Sequence, residues 1–252
     1  MHQVRQDQVV ERLRALGIGE GDGLLVHSAI QFLGQPTGGV SMYWEAIQAV
    51  IGPQGTLAVP TFNFDFAQGA PYDPQKTPSK EMGAFSEYVR QLPQARRTQH
   101  PMQSIAVIGR YSDDLASRDT LSAFDPGSAF ERMLELDFKL LLLGADIRAT
   151  SIYHISEQRN RVPYRYWKDF TGQVHTSHGW EIRTYRMYVR DLAIDPITTA
   201  EPVKALLKQR GHWLSAPLNY GELACCRLVD FVQAVDYFLE KDPWSLVTNR
   251  PG

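Results

Sequence analysis

Short apolar segments that end in turns constrain the fold of this chain most strongly. The clearest is residues 139–143, where four consecutive leucines follow Lys139 and lead into Gly144. A run of this length is typical of a strand buried on both faces and is too short for an independent helix. Three more segments have the same character: residues 23–27, 56–60 and 104–109.

Amphipathic segments lie around these strands. Apolar residues recur at helical spacing in residues 8–16, 41–51, 85–92 and 223–239. Beyond Lys168, residues 175–179 and 184–189 indicate an antiparallel hairpin or meander. The sequence therefore predicts a single α/β domain over residues 1–252. In it a mixed central sheet is flanked by helices, and a β-rich segment lies in the C-terminal half.

Composition excludes several classes of protein. Of the 252 residues, 43% are hydrophobic and 21% charged, and the net charge of -2 favours neither nucleic acid nor an anionic membrane as partner. Residues 1–17 lack the apolar run of a signal peptide, and no apolar run approaches the ~20 residues that span a bilayer. The only cysteines, Cys225 and Cys226, are adjacent and cannot form a disulfide framework. We therefore expect a cytoplasmic protein.

Polar side chains follow or precede each predicted strand in a consistent way. In an open α/β sheet such strand-end loops converge over one edge and build the site. The candidates are His27 and Ser28, Asn63 and Asp65, His100 and Ser104, and His154 and Glu157. The alternative is that some of them only cap helices or form turns, which is our interpretation of Asp73, next to Pro74.

His154 and Glu157 are the best candidates for catalysis. Three residues apart on a helix, their side chains lie on one face just past the 139–143 strand. A histidine with an unperturbed pKa of about 6.5 suits a general base, and a neighbouring carboxylate fixes its tautomer. A surface helix with an incidental histidine is the alternative.

Six motifs in order resemble the aminoglycoside 3-N-acetyltransferase family. They are VHSA (26–29), GG (38–39), GPQGTLAVPTF (52–62), YDP (72–74), RRTQHPMQSIAVIG (96–109) and LLLLGADIRATSIYHISE (140–157). The resemblance implies the fold of that family and an enzyme linked to antibiotic resistance. It also implies direct transfer of an acetyl or short acyl group to an amine of an amino sugar. Acetyl-CoA or another acyl-CoA would be the co-substrate, and no metal is implied.

The resemblance also implies roles for individual residues. His154 would deprotonate the amine beside Glu157, and Asp65, near Asn63, would lie in the acceptor cleft. An alkylammonium has a pKa near 10, so a base must act before the nitrogen can attack a thioester. The residues implied to border CoA are His27, Ser28, Ala29, His100 and Ser104.

Cations and turn amides could hold the CoA phosphates. Arg97, with Arg96 and Arg110, flanks the HPMQS segment. Gly39, in the Gly38-Gly39 turn, could offer a backbone N–H to the pyrophosphate, or the pair could be only a turn.

Two departures from the family pattern bear on the acceptor. Ala29 stands where the family usually has a second serine, and residues 159–168 form a basic, aromatic run. In one interpretation this run is a solvated face, with Glu157 and Arg161 as an i,i+4 pair. In the other, Arg161 and Tyr164 help to hold an anionic acceptor such as a nucleotide-linked amino sugar.

Further alternatives stay open at this stage. A hydrolase using Ser28 or Ser104 with His154 is disfavoured because no G-x-S-x-G elbow is present. A non-catalytic CoA-binding module would have no need of both His154 and Glu157. His175 and His178 lack a second matched pair of metal ligands. Their roles and that of Asp191 are not assigned. The expected partners are an amine and an acyl-CoA, with a homodimer as a candidate assembly.

Overall fold

The computed structural model describes residues 2–250, and this part of the chain contains eight α-helices. They are α1 (Gln6–Ala15), α2 (Ser41–Ile51), α3 (Gly83–Gln91), α4 (Ser112–Ala116), α5 (Ala129–Glu135), α6 (Tyr153–Arg159), α7 (Glu201–Gln209) and α8 (Leu228–Leu239). No helix within residues 2–250 has the length and apolar character needed to cross a bilayer.

Eleven strands are present in the same described range. They are β1 (Gln3–Val4), β2 (Gly23–Ser28), β3 (Gln35–Pro36), β4 (Thr56–Pro60), β5 (Arg96–Arg97), β6 (Ile105–Gly109), β7 (Lys139–Leu143), β8 (Arg165–Thr176), β9 (Gly179–Arg190), β10 (Leu214–Leu218) and β11 (Gly221–Arg227). The four apolar segments of the sequence thus form β2, β4, β6 and β7, within a residue of the predicted bounds.

Seven of these strands form one mixed sheet in the order β10-β11-β7-β2-β4-β6-β5. The central strands β7, β2 and β4 are parallel, while β6 and β11 run antiparallel to their neighbours. The loops after β2, β4 and β7 therefore meet at one edge. Because β6 is reversed, the segment that precedes it reaches the same edge.

Helices cover both faces of the sheet. On one face α1, α2 and α3 pack on Leu24 and Val26, and on the other α5, α6, α7 and α8 pack with Leu25. Neighbouring residues of a strand point to opposite faces, so a fully apolar strand serves both cores. This arrangement confirms the predicted α/β class, with its mixed central sheet between helices.

The predicted helix at residues 223–239 is wrong in its first part. Residues 221–227 form β11, and only Leu228–Leu239 is helical. Leu223 and Cys225 pack into one core, and Ala224 and Cys226 into the other. As a strand beside β7, this segment buries its apolar residues on both faces of the sheet. A surface helix would bury apolar residues on one side only.

The C-terminal half also contains the predicted β-rich segment. Strands β8 and β9 form one long antiparallel hairpin, which begins at Arg165 and so extends further than the sequence indicated. A small cluster that includes Phe66, Tyr72, Val174 and Tyr185 attaches this hairpin to the loops before β6.

Candidate active site

A pocket opens where the loops after β2, β4 and β7 meet. His27, Phe62, Ser151 and His154 line it, together with Thr198–Ala200 from the segment before α7. The chain leaves β7 at Gly144, makes a short 3-10 turn capped by Asp146 and enters α6. Helix α6 then places His154 against the pocket.

His154 and Glu157 form a close pair on α6. Nδ1 of His154 lies 2.5 Å from Oε2 of Glu157. Burial alone would raise the pKa of Glu157, but His154 and Arg165 lower it, and the net pKa lies below the ordinary value. With Glu157 ionised, Nδ1–H donates to it and the lone pair on Nε2 is left to accept a proton.

Arg165 is the residue of this site that sequence reasoning missed. Its Nε lies 2.9 Å from Oε2 of Glu157, and its Nη1 donates to the Tyr188 carbonyl at 3.1 Å. The interpretation in which Glu157 pairs with Arg161 is not borne out, because the ion-pair partners of Glu157 within residues 2–250 are His154 and Arg165. Arg161 is exposed and adopts a positive φ of 48° just after α6. Arg165 belongs to the basic run at residues 159–168, but it lies eight positions after Glu157, beyond the i+4 spacing that indicates a pair on one helix.

The sequence predicts that Tyr164 contacts the acceptor. Its side chain is fully buried in the structure, so it does not face a substrate. Burial and the charge of Glu157 both raise the pKa of Tyr164, so its hydroxyl stays protonated. Tyr164 thus belongs to the protein interior behind the pair, and the prediction is corrected.

His27 reaches the pocket from the end of β2. Burial, and next the proximity of His154, lower the pKa of His27 to about 3, so its imidazole is neutral. Nε2 accepts from the backbone N–H of Ser151 at 3.3 Å, and the Ser151 hydroxyl lies at the same distance. His27 therefore holds the turn that leads into α6.

The loop residues after β2 have mixed environments. The Ser28 hydroxyl is buried and has no hydrogen-bond partner among residues 2–250, so it could accept or donate to a ligand. The Ala29 N–H donates to the Leu143 carbonyl at 3.0 Å. The Gly39 N–H donates to the Pro36 carbonyl at 3.2 Å. It therefore closes a turn and is not free to bind a phosphate of CoA.

Three residues of the segment before β6 that are expected to border CoA, namely Arg97, His100 and Ser104, make hydrogen bonds within the protein. The Arg97 guanidinium donates to the hydroxyls of Thr61 and Ser104, both at 3.0 Å, and to the carbonyls of Thr61 and Thr77. Ser104 is fully buried, and its hydroxyl also donates to the Thr61 carbonyl at 3.0 Å. These contacts stabilise the loops under the pocket, and Arg97 also lines a separate surface depression with Arg96.

His100, the third of these residues, is also buried. Its Nδ1 accepts from the Gln103 N–H at 3.0 Å, and burial lowers its pKa to about 4. Neither His100 nor Ser104 lines the pocket that contains His154.

Asn63 and Asp65 lie beside a separate depression. The Asn63 amide donates to the Pro78 carbonyl at 2.9 Å, and its oxygen accepts from the Asp65 N–H at 2.8 Å. Asp65 forms a 2.6 Å ion pair with Lys80. Asn63 therefore shapes its own turn, while Asp65 is half-exposed and already neutralised by a cation.

The pocket contains further residues that the sequence did not single out. Arg148, paired with Asp146 at 2.8 Å, is the cation on its lining, and Thr198, Thr199 and Ala200 come from a distant part of the chain. Within the described range, no three His, Cys, Asp or Glu side chains cluster as metal ligands would.

Comparison with known proteins accords with this geometry. The family model described as Aminoglycoside 3-N-acetyltransferase matches residues 25–240. Aminoglycoside N(3)-acetyltransferase IV from Salmonella sp is 32% identical over 162 residues, which are 64% of this chain and 61% of that protein. Aminoglycoside N(3)-acetyltransferase III from Salmonella sp is 29% identical over 177 residues, which are 63% of this chain and 62% of that protein.

The matches therefore span just over three-fifths of the length of these two relatives. A solved structure of AAC-IIIb in binary complex with CoASH superposes with a TM-score of 0.84 at 20% identity. This superposition covers 99% of this chain and 100% of that one, and it shows a shared fold. With a family model that covers most of its length, the chain belongs to the aminoglycoside 3-N-acetyltransferase family.

Proposed function

We propose that this protein transfers an acetyl group from acetyl-CoA to an amine of an aminoglycoside, with His154 as general base. The observation that carries the proposal is the pair of His154 and Glu157. The base is one-third exposed at a pocket, and the acid behind it is fully buried. Family membership and the CoASH bound in a structural relative support the choice of co-substrate.

The proposed reaction is a direct transfer. An acceptor amine that has lost its ammonium proton to solvent attacks the thioester carbonyl with its lone pair to form the C–N bond, and Nε2 of His154 accepts a second proton from the same nitrogen. The tetrahedral intermediate collapses, the C–S bond breaks, and the sulfur leaves with its electron pair. The imidazolium then returns the proton to the thiolate, which leaves an acetamide and free CoA.

The ionised Glu157 supports both proton transfers. It keeps the hydrogen on Nδ1, so that Nε2 faces the substrate as a base, and its charge stabilises the imidazolium between the two steps. His27 cannot replace His154 as the base, because its pKa of about 3 leaves it too weak to hold a proton. We assign His27 to positioning the turn at Ser151.

The acyl-CoA arm would enter beside the end of β2. Support for this comes from the Ser28 hydroxyl, which finds no partner in the described part of the chain, and from the adjacent start of α3. A Cβ placed on Gly83, the first residue of α3, would lie 3.1 Å from the Ser28 carbonyl oxygen. The N-terminus of a helix favours anions, so phosphate or carbonyl oxygen of the co-substrate suits this place.

The alternatives are weakened by particular contacts. Arg159 pairs with Glu131 at 3.0 Å and Arg165 with Glu157, so two arginines of the basic run at residues 159–168 are already neutralised. An aminoglycoside therefore suits the site better than a nucleotide-linked amino sugar. For a hydrolase, neither Ser28 nor Ser104 bonds to His154 in the described structure.

The decisive experiment measures release of free thiol from acetyl-CoA with a panel of acceptors. Gentamicin-type and neomycin-type aminoglycosides form one arm, nucleotide-linked amino sugars a second, and buffer alone a third. We expect thiol release with aminoglycosides, with stoichiometric N-acetyl product by mass spectrometry. Thiol release with nucleotide-linked amino sugars but not with aminoglycosides would show that the acceptor is a nucleotide-linked amino sugar. Thiol release in buffer alone would indicate a hydrolase.

The cellular setting and assembly are part of the same proposal. Because the co-substrate is acetyl-CoA, we place the reaction in the cytoplasm, where it would protect a host from the drug. Expression in a sensitive strain should raise the inhibitory concentration of the acceptor drug. A homodimer stays a prediction, and sedimentation equilibrium measures it.

A further inference from the structure

Arg165 contacts the catalytic acid from outside its helix. It is the first residue of β8, its side chain is largely buried, and its Nε lies 2.9 Å from Oε2 of Glu157. That oxygen is also the one 2.5 Å from Nδ1 of His154. The other oxygen, Oε1, is buried and has no hydrogen-bond partner among residues 2–250, and the contact of Arg165 Nε with Oε2 is an ion pair without hydrogen-bond alignment.

We propose that Arg165 is a positioning residue for the pair: it keeps the buried Glu157 carboxylate ionised and aimed at Nδ1 of His154. This inference rests on the proposed function, because it assigns a role in the same proton transfer. The Arg165 guanidinium is itself held in place, since Nη1 donates to the Tyr188 carbonyl of β9. The base of the hairpin is thereby linked to the acid of the pair.

Several titratable groups face this acid from other elements. His27 approaches from β2 and is neutral. Burial, and then the charge of Glu157, raise the pKa of Tyr153, Tyr164 and Tyr188, so these hydroxyls carry no charge near neutral pH. In the described part of the chain, Arg165 is thus the permanent cation in contact with Glu157.

The charge balance gives Arg165 two effects on catalysis. A buried carboxylate without a cation would gain a proton more readily, which would remove the acceptor for Nδ1–H. The arginine also offsets the attraction of Glu157 for the imidazolium, so that His154 can give its proton to the leaving thiolate. Without Arg165, the pair of His154 and Glu157 carries an uncompensated negative charge and takes up a proton at higher pH.

The pair of His154 and Glu157 takes up its proton at higher pH whichever of its atoms accepts that proton. Two strongly interacting groups titrate as a pair, and the removal of a nearby positive charge raises the proton affinity of the pair as a whole. The acidic limb of kcat/KM against pH reports that event in the free enzyme. A merely structural arginine would change stability without moving this limb.

The test compares three variants of the full-length protein with the wild type. Arg165→Met removes the charge but keeps the length of the chain, and Arg165→Lys keeps the charge with poorer geometry. Arg159→Met is the matched control, because Arg159 is a half-exposed arginine on α6 whose partner is Glu131. Each is assayed for thiol release from acetyl-CoA between pH 5 and 9, and its melting temperature is recorded.

We expect the acidic limb in Arg165→Met to move upward by about 1 pH unit or more, as removal of an adjacent opposite charge does. Arg165→Lys should move it less, and Arg159→Met should leave it in place. A folded Arg165→Met variant with the wild-type limb would overturn the inference. If that variant does not fold, Arg165→Gln, which also removes the charge, takes its place, and an unshifted limb in Arg165→Gln would overturn the inference.

A second readout separates this inference from the proposed function. The imidazole signals of the protein without substrate can be followed by NMR against pH, with the His154 signals assigned by their loss in His154→Gln. The titration midpoint of the pair should rise in Arg165→Met even if no acceptor is ever acetylated. A wild type without transferase activity would refute the proposed function, while an unmoved midpoint would refute the role of Arg165.

Discussion

Glu157 is fully buried, and its Oε2 lies 2.5 Å from Nδ1 of His154, whose side chain remains 33% exposed. The Glu157 carboxylate therefore contacts neither solvent nor substrate, while His154 faces the pocket with its other nitrogen, Nε2. Both groups are on one turn of α6, so their separation does not depend on loop motion. This geometry suits the proton transfer that we propose for His154.

Replacement of His154 by glutamine should lower kcat for acetyl transfer by ~100-fold or more, because a general base typically contributes that much. The amide is similar in size, so KM for acetyl-CoA and the melting temperature should change little. His212→Gln is the control, since His212 is exposed and pairs with Asp230 away from the pocket. Undiminished kcat in His154→Gln would exclude His154 as the base.

Replacement of Glu157 by glutamine should affect both catalysis and stability. An amide can donate to Nδ1 and so move the histidine hydrogen to Nε2, which should lower kcat by ~100-fold or more. The variant also leaves Arg165 buried without its counter-ion, at a cost of about 3 kcal/mol in the free energy of unfolding. Kinetics at saturating substrate and urea denaturation measure the two effects.

The double variant Glu157→Gln with Arg165→Met tests the source of that cost. Removal of both charges takes away the unpaired buried cation, so the double variant should be more stable than the sum of the single changes predicts. Simple additivity would show that the ion pair contributes nothing to stability.

The strands and the pair on α6 could be predicted from the sequence because each is encoded locally. In Lys139–Leu143 four consecutive leucines follow the lysine and lead into Gly144, and the spacing of His154 and Glu157 fixes their common face. Arg165 could not be found in this way. The chain reverses at Arg161, where φ is positive, and only this reversal brings a residue eight positions beyond Glu157 back to its carboxylate.

Burial explains the errors at the strand ends. The predicted convergence of loops is real, and it includes the segment before β6 because that strand is antiparallel. However, the sequence does not show which polar side chains point into the protein. Arg97 and Ser104 hydrogen-bond to each other and to the loop at Thr61, and the contacts with Thr61 join residues 36 and 43 positions apart. Such long-range contacts have no local pattern.

Two buried histidines should make the fold sensitive to acid. Burial lowers the pKa of His27 to about 3 and that of His100 to about 4. The unfolded chain binds protons at both sites below about pH 6.5, whereas the folded protein does not, so stability should fall as the pH decreases from about 6.5 towards 4. Each histidine should contribute a slope of about 1.4 kcal/mol per pH unit.

His100→Asn isolates one of these contributions. The asparagine oxygen can still accept from the Gln103 N–H, so the variant should fold, with some loss of stability at pH 8. Its free energy of unfolding should decline less steeply between pH 6 and 5, by about 1.4 kcal/mol per pH unit. Urea denaturation at three pH values measures the slope, and an unchanged slope would mean that His100 is protonated in the folded state.

Arg97 and Arg96 are adjacent arginines whose replacement should change the free energy of unfolding by very different amounts. The part-buried Arg97 guanidinium donates to two hydroxyls and three carbonyls, and burial lowers its pKa. Arg97→Met should therefore lower the free energy of unfolding by about 3 kcal/mol, because it strands buried acceptors. Arg96 is exposed and pairs with Asp113 at 3.3 Å, so Arg96→Met should change stability by less than about 0.5 kcal/mol.

Urea denaturation at constant m-value, combined with the KM for acetyl-CoA, distinguishes a structural role of Arg97 from cofactor binding. A structural role predicts a lower denaturation midpoint for Arg97→Met than for Arg96→Met. A wild-type midpoint with a tenfold or larger rise in KM would instead mean that Arg97 leaves its internal partners to bind the CoA phosphates. The five internal acceptors around its guanidinium make that exchange unfavourable, because each would lose a charge-assisted hydrogen bond within the protein.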